Sequence, residues 1–181
     1  MAKLPILEYP DPRLRIRAKP VTEVDAEMRQ LADDLLETMY AAAGIGLAAT
    51  QVDRHVRMLV IDISEARDEP LCLINPEIIE SDGKTSSDEG CLSVPEYYDA
   101  VERAEHIRVR ALNREGETTE FDADDILAIC IQHEMDHLEG KLFVDYLSEM
   151  KRQRLKKKYV KKSKRGQGSA SEADRLATPT L

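Results

Sequence analysis

Gln132-His133-Glu134-Met135-Asp136-His137 closes an apolar run that opens at Ile126, and Gly140 follows it. Ile126, Ile129, Cys130, His133 and His137 recur at helical spacing. They predict one helix, from near Asp124 to Gly140, with both imidazoles on its buried side. Four residues is about one turn, so the two rings face the same way. A buried, unpaired imidazole needs a partner, and two of them one turn apart can grip a single metal ion. Glu134, beside the first histidine, is placed to take a proton from water at such an ion. The pattern reads as metal-assisted hydrolysis. The plainer alternative is a helix whose histidines merely finish a core face.

Catalytic sites of this kind use three protein ligands and keep one position open. Six residues after His137, where one class of zinc protease has its third histidine, stands Phe143, which cannot bind metal. Glu149, the candidate for a glutamate ligand from a second helix, opens a basic segment and reads as a helix-start residue. The remaining candidate is Cys91, in Glu89-Gly90-Cys91-Leu92-Ser93-Val94-Pro95. Gly90 lets backbone approach closely there, and Pro95 stiffens the exit. Cys72, in Leu71-Cys72-Leu73-Ile74, and Cys130, on the helix stripe, read as small buried hydrophobes. Three cysteines without a secretory segment argue against a disulfide framework.

Three separated motifs now stand in order: Gly44-Ile45-Gly46-Leu47-Ala48-Ala49-Thr50-Gln51, then Glu89-Gly90-Cys91-Leu92-Ser93, then Gln132-His133-Glu134-Met135-Asp136-His137-Leu138. Together they resemble the signature of the bacterial peptide deformylases, over about Leu4 to Lys158. The resemblance implies removal of the N-terminal formyl group from formyl-methionyl nascent polypeptides, with release of formate. It implies Cys91, His133 and His137 as ligands of one divalent metal ion per chain. Fe(II) is the ion expected in the cell, and ligand softness also admits Zn, Ni or Co. Glu134 is expected as general base and then acid. The Gln51 side chain and the Leu92 backbone N–H are implied as donors to the developing oxyanion.

By the same resemblance, backbone at Gly44 to Gly46 and at Gly90 pairs with the substrate as an added strand. That mode tolerates many downstream side chains. A methionine pocket would be walled by Ile45, Ile126, Ile129, Cys130 and His133, and Glu89 joins the substrate-binding set through its motif. Many members carry arginine where this chain has Tyr98, at the mouth of the cleft. Gly44-x-Gly46 is not a phosphate loop: no Gly-Lys-Ser/Thr follows, and the glycines come after a helix rather than opening one.

The 181 residues suit one domain with a sizeable core. No stretch approaches a membrane span, and no signal-peptide core is visible. A cytoplasmic enzyme with no membrane or DNA partner is expected. Residues 151–165 carry ten Lys or Arg and no acid, so removing them takes the net charge from −9 to −19. An acidic body with a basic arm predicts a polyanionic partner for the arm. The ribosome surface fits, and the resemblance agrees, since in some members a C-terminal helix docks near the polypeptide exit. Leu155 and Tyr159, four apart, are expected to add an apolar contact to the phosphate-directed lysines.

The predicted fold class is α+β, with antiparallel strands packed around a central metal-binding helix and a C-terminal basic helix. Pro5, Pro10, Pro12 and Pro20 mark an extended arm. Thr22 should cap a helix whose apolar stripe is Met28, Leu31, Leu35 and Met39, with Gly44 as its stop. Strands are predicted at Val56–Ile63 and Leu71–Ile74. Another runs through Ile107, Val109 and Ala111, followed by a hairpin to Thr118–Phe121. A last helix should start at Ser148. The expected units are a catalytic domain over 1–148, the basic helix over 149–165 and a mobile tail over 166–181. Two rivals stay open: a zinc endopeptidase with another third ligand, and a metal-stabilised binding protein. Structural zinc sites usually have four protein ligands, and only three are counted here.

Overall fold

The computed structural model describes residues 2–165, so the tail expected over 166–181 lies outside the described residues. The elements are α1 (Ala26–Ala41), β1 (Gly46–Ala48), β2 (Met58–Ile61), β3 (Leu71–Asp82), β4 (Thr85–Cys91), β5 (Val94–Arg103), β6 (His106–Leu112), β7 (Thr118–Asp124), α2 (Asp125–Leu138) and α3 (Glu149–Arg165). Five strands form an antiparallel sheet in the order β1-β2-β3-β6-β7, and β4 pairs with β5 as a separate ribbon.

The sheet is covered on both faces, and β2 shows how. Its four residues are all fully buried, but alternate ones face opposite ways. Leu59 and Ile61 join Ala128, Ile129 and Ile131 of α2. Met58 and Val60 join Leu31, Leu35 and Met39 of α1. A continuous apolar run is what a strand between two helices requires. A third apolar cluster lies under the ribbon, where Cys91, Val94 and Val101 meet Leu142, Phe143 and Val144, together with Leu155 and Tyr159 from α3.

Several boundaries differ from expectation. Asp25, not Thr22, caps α1: its carboxylate accepts the Met28 N–H at 2.9 Å. β3 runs on past Pro76 to Asp82 because a register shift absorbs the interruption. There Asn75 adopts φ 51°, and its amide bonds both the N–H and the C=O of Val21 at 2.8 Å. Cys72 is half-buried rather than fully enclosed.

The largest correction concerns α3. Leu155 and Tyr159, expected to face an RNA partner, are each 3% exposed and point inward. They are the apolar side of an otherwise cationic helix, and burying each such side chain is worth about 1.5–3 kcal/mol. The Tyr159 hydroxyl donates to the Pro95 carbonyl, Lys151 pairs with Asp99 at 2.8 Å, and Lys162 pairs with Glu96 at 2.9 Å. The helix is fastened to β5 and helps to cover the cluster that contains Cys91.

Candidate active site

Three pieces of chain converge between the ribbon and the sheet. β4 delivers Cys91 at its last position, after a register shift between Glu89 and Cys91. α2 delivers His133, Glu134 and His137 from one face. A short 3-10 helix over Ala49–Val52, directly after β1, delivers Gln51. All five side chains are at most 1% exposed.

Cys91, His133 and His137 offer one donor atom each, and these lie within 4.8 Å of one another. Cys91 Sγ is 3.3 Å from His137 Nε2. The two imidazoles sit 5.0 Å apart at 73°. His133 Nδ1 meets Glu89 Oε2 at 2.8 Å. A carboxylate there selects the Nδ1–H form and leaves the lone pair on Nε2. That Nε2 is buried and has no hydrogen-bond partner among the described residues. An orphaned buried nitrogen carries a desolvation penalty of about 1–3 kcal/mol. One thiol and two imidazoles around such an atom fit a borderline-soft divalent cation.

Phe143, which stands where a third histidine would have been, has a packing role. Its ring stacks on His133 at 6.0 Å and 29°, and Tyr97 stacks on it in turn at 6.1 Å.

Glu134 is fully buried, and among the described residues neither of its oxygens has a hydrogen-bond partner. The Ala48 N–H is committed to Gln51 Oε1 at 2.8 Å. Burial pushes the Glu134 carboxyl up to about 7, with His133 pulling it down and Glu89 pushing it up. A carboxyl poised there exchanges protons near neutral pH. Gly46 passes directly beside it. A Cβ on Gly46 would lie 2.6 Å from Glu134 Oε1 and 2.8 Å from Cys130 Sγ.

Gln51 is held by that Ala48 bond, and its Nε2 reaches Ser93 Oγ at 3.1 Å and Cys91 Sγ at 3.6 Å. Leu92 and Ser93 form the turn between β4 and β5, since Cys91 pairs with Val94 across it.

Glu89 was expected among the substrate contacts. Its side chain is instead fully buried, and both oxygens are taken. Arg103 grips them through Nε at 2.7 Å and a terminal nitrogen at 3.0 Å. The same guanidinium reaches Asp136 at 2.7 Å, and Tyr146 donates to Asp136 at 2.8 Å while its ring lies 5.1 Å from the Arg103 charge. Burial pushes the Glu89 carboxyl up, but the Arg103 and His133 bonds outweigh it and keep it below its ordinary value. The sequence reading missed Arg103, Asp136 and Ser93. The one available signal was an acid, Glu89, two residues before the candidate ligand Cys91.

The other expected residues are placed as follows. Ile129 and Cys130 are buried under the sheet, and Ile45 packs against them half-buried. Ile126, in the first turn of α2, is 45% exposed, so the buried stripe begins only at Ile129. Gly44 lies under Leu92, and a Cβ on Gly90 would fall 2.3 Å from the Tyr98 ring, which is 44% exposed.

The polypeptide deformylase family model matches residues 3–153. The peptide deformylase of Acinetobacter baumannii (strain SDF) is 59% identical over 162 residues, 89% of this chain and 92% of that protein. That of Cellvibrio japonicus (strain Ueda107) is 60% identical over 167 residues, 92% of this chain and 99% of that protein. The crystal structure of a peptide deformylase from Legionella pneumophila superposes with a TM-score of 0.87 at 45% identity, covering 93% of this chain and 100% of that one. With the family matched along most of its length, the chain belongs to the peptide deformylases, metallohydrolases that remove the N-terminal formyl group from nascent polypeptides.

Proposed function

We propose that Cys91, His133 and His137 together hold one divalent metal ion, which makes α2 the metal-binding helix at the centre of the fold. The observation that carries this is the buried, unpartnered Nε2 of His133 beside the Cys91 thiol and the second imidazole. Fe(II) is the ion we assign in the cell on family grounds, and Zn, Ni and Co suit the same donor set. A bound ion supplies Lewis acidity and brings the pKa of water down toward about 7.

Glu134 then takes the proton of the attacking water and returns it to the leaving amine. Its isolation from other hydrogen-bond donors supports that role. Gln51 Nε2 and the Leu92 N–H are the donors to the oxyanion, supported by the closeness of Gln51 to Cys91. The formyl-methionyl peptide pairs as an added strand with Gly44 to Gly46 and with Gly90. The fact that β1 is an edge of the sheet supports this. Its methionine side chain lies against Ile45, Ile126, Ile129, Cys130 and His133. Such a pocket distinguishes one methylene by only about 1–3 kcal/mol, so formyl-norleucine peptides are also substrates. The catalytic machinery falls within residues 1–148.

The outer face of α3 is the contact for the ribosome, which places the enzyme in the cytoplasm. Arg152, Arg154, Lys156, Lys157 and Lys161 are exposed there and form no ion pair among the described residues. Among the described residues no helix is long and apolar enough to cross a membrane. Replacing Arg154, Lys157 and Lys161 by glutamate should abolish co-sedimentation with ribosomes, and raising salt should weaken the wild-type contact steeply. Removing the whole helix is a poorer test, because it uncovers Leu155 and Tyr159.

The site is tested by metal analysis after anaerobic purification, paired with a formate-release assay. Cys91→Ser should lose the metal. Glu134→Gln should keep it and lose turnover by about 10²–10⁴-fold. Full metal content with unchanged turnover in Cys91→Ser overturns the assignment, as does loss of metal in Glu134→Gln.

A further inference from the structure

We infer that Arg67 is a specificity determinant that favours a carboxylate side chain on the third residue of the formylated substrate. The inference rests on the placement of the scissile amide beside Glu134 proposed above.

The direction of the peptide follows from burial. Gly46 touches Glu134, so the formyl end lies next to Gly46. Beyond it, Leu47 and Ala48 are completely enclosed, and a peptide cannot continue that way. It must leave in the other direction, from Gly46 toward Gly44. Two residues of extended chain cover about 6.8 Å, which brings the third substrate residue opposite Gly44.

Arg67 marks the end of that edge. One terminal guanidinium nitrogen donates to the Gly44 carbonyl at 3.0 Å. The guanidinium also stands 5.7 Å from the centre of the Tyr40 ring, and the Tyr40 hydroxyl is itself fixed to Asp62 at 2.6 Å. The backbone of Arg67 is left-handed, at φ 56°, an arrangement that persists only where surrounding bonds impose it. Its N–H donates to the Ser64 carbonyl at 3.3 Å, and the neighbouring Asp68 N–H is held by the Ser64 hydroxyl at 3.1 Å. The arginine is thus set in place before any peptide arrives, which lowers the ordering cost of a contact.

Its charge is also available. Glu65, Asp68 and Glu69 share its loop, yet Arg67 forms no ion pair among the described residues. Only one of its five donors is used by Gly44, and a guanidinium matches a carboxylate through two at once. Without the α3 cations the rest of the chain is strongly acidic, so a cation at the head of the cleft is a local exception to the field an acidic peptide meets.

The test compares two C-terminally amidated peptides, formyl-Met-Ala-Asp and formyl-Met-Ala-Asn, which differ in one carboxylate. The wild-type enzyme should favour the acid by about two- to five-fold in kcat/KM, the size of an exposed ion pair. The difference should sit in KM, because the contact is the same before and during reaction. It should shrink toward unity at high salt. Arg67→Gln should bring the ratio to about one, Arg67→Glu should invert it, and Arg67→Lys should keep it above one. Equal wild-type rates on both peptides, or a preference that survives in Arg67→Gln, overturn the inference alone. Failure of the wild-type enzyme to release formate from either peptide overturns the underlying placement of the amide as well.

Discussion

β7 and β1 are the two edges of one sheet, and they are finished in opposite ways. β7 alternates inward and outward residues, and its outward acids are matched across the ladder. Glu120 pairs with Arg110 at 2.6 Å, Asp122 with Arg108 at 3.2 Å, and Asp124 with His106 at 2.6 Å. Charge on an edge discourages another chain from adding to it. β1 is three residues long, carries no charge, and is buried throughout. It is protected by brevity and enclosure instead. An edge guarded by charge is closed to every strand, whereas one guarded by enclosure is open to whatever fits the enclosure. That difference favours β1 over β7 for the substrate strand proposed above.

The most damaging way to break the contrast is Gly46→Ala. The new methyl meets Glu134 and Cys130, both fully buried, so neither can step aside. A shift of about 1 Å at a catalytic group can cost about 10²-fold, and that loss in kcat/KM is expected here. Gly44→Ala should be milder. Its methyl would meet Leu92 Cδ1 at 2.7 Å, the far end of a flexible side chain that can turn away. A loss of about tenfold, near 1.4 kcal/mol, is expected in the same assay. Arg110→Ala, on the charged edge, should lower stability by at most about 1 kcal/mol in denaturant unfolding and leave kcat/KM unchanged. A catalytic defect in Arg110→Ala as large as that of Gly46→Ala would falsify the contrast between the edges.

What could be read in advance followed from strong periodicity. The α2 stripe and the alternation of Ile107, Val109 and Ala111 each matched one regular element, and both elements are present at the expected positions. The β4–β5 ribbon was not anticipated. Thr85-Ser86-Ser87-Asp88-Glu89 holds no apolar residue, and its inward position is filled by Glu89, a charge buried only because Arg103 answers it from β5. Pairing supplied by a residue 14 positions away leaves no local trace. The inward turn of Leu155 and Tyr159 was hidden for a related reason. Leu155 and Tyr159 among ten cations look like an accessory until a body is found for them to cover.

The candidate metal site was legible by type and spacing, because few residues bind such ions. The support beneath it was not. Glu89 reaches His133 across 44 residues, and Phe143 under the same ring shows itself only in three dimensions.

The two faces of α3 also set the tempo of any encounter made through it. Leu155 and Tyr159 are spent inside the molecule, so among the described residues a partner meets mainly cations, with Met150 as the one strongly exposed apolar side chain. Contacts of that kind form quickly, because charge guides the approach. They also let go quickly, because long residence depends on desolvated anchors, and a single methionine at the start of the helix supplies little of that kind. A deformylase that touches ribosomes in this way would sample many of them briefly rather than settle on one. Its rate of visiting, more than its affinity, would then decide how many new chains it reaches.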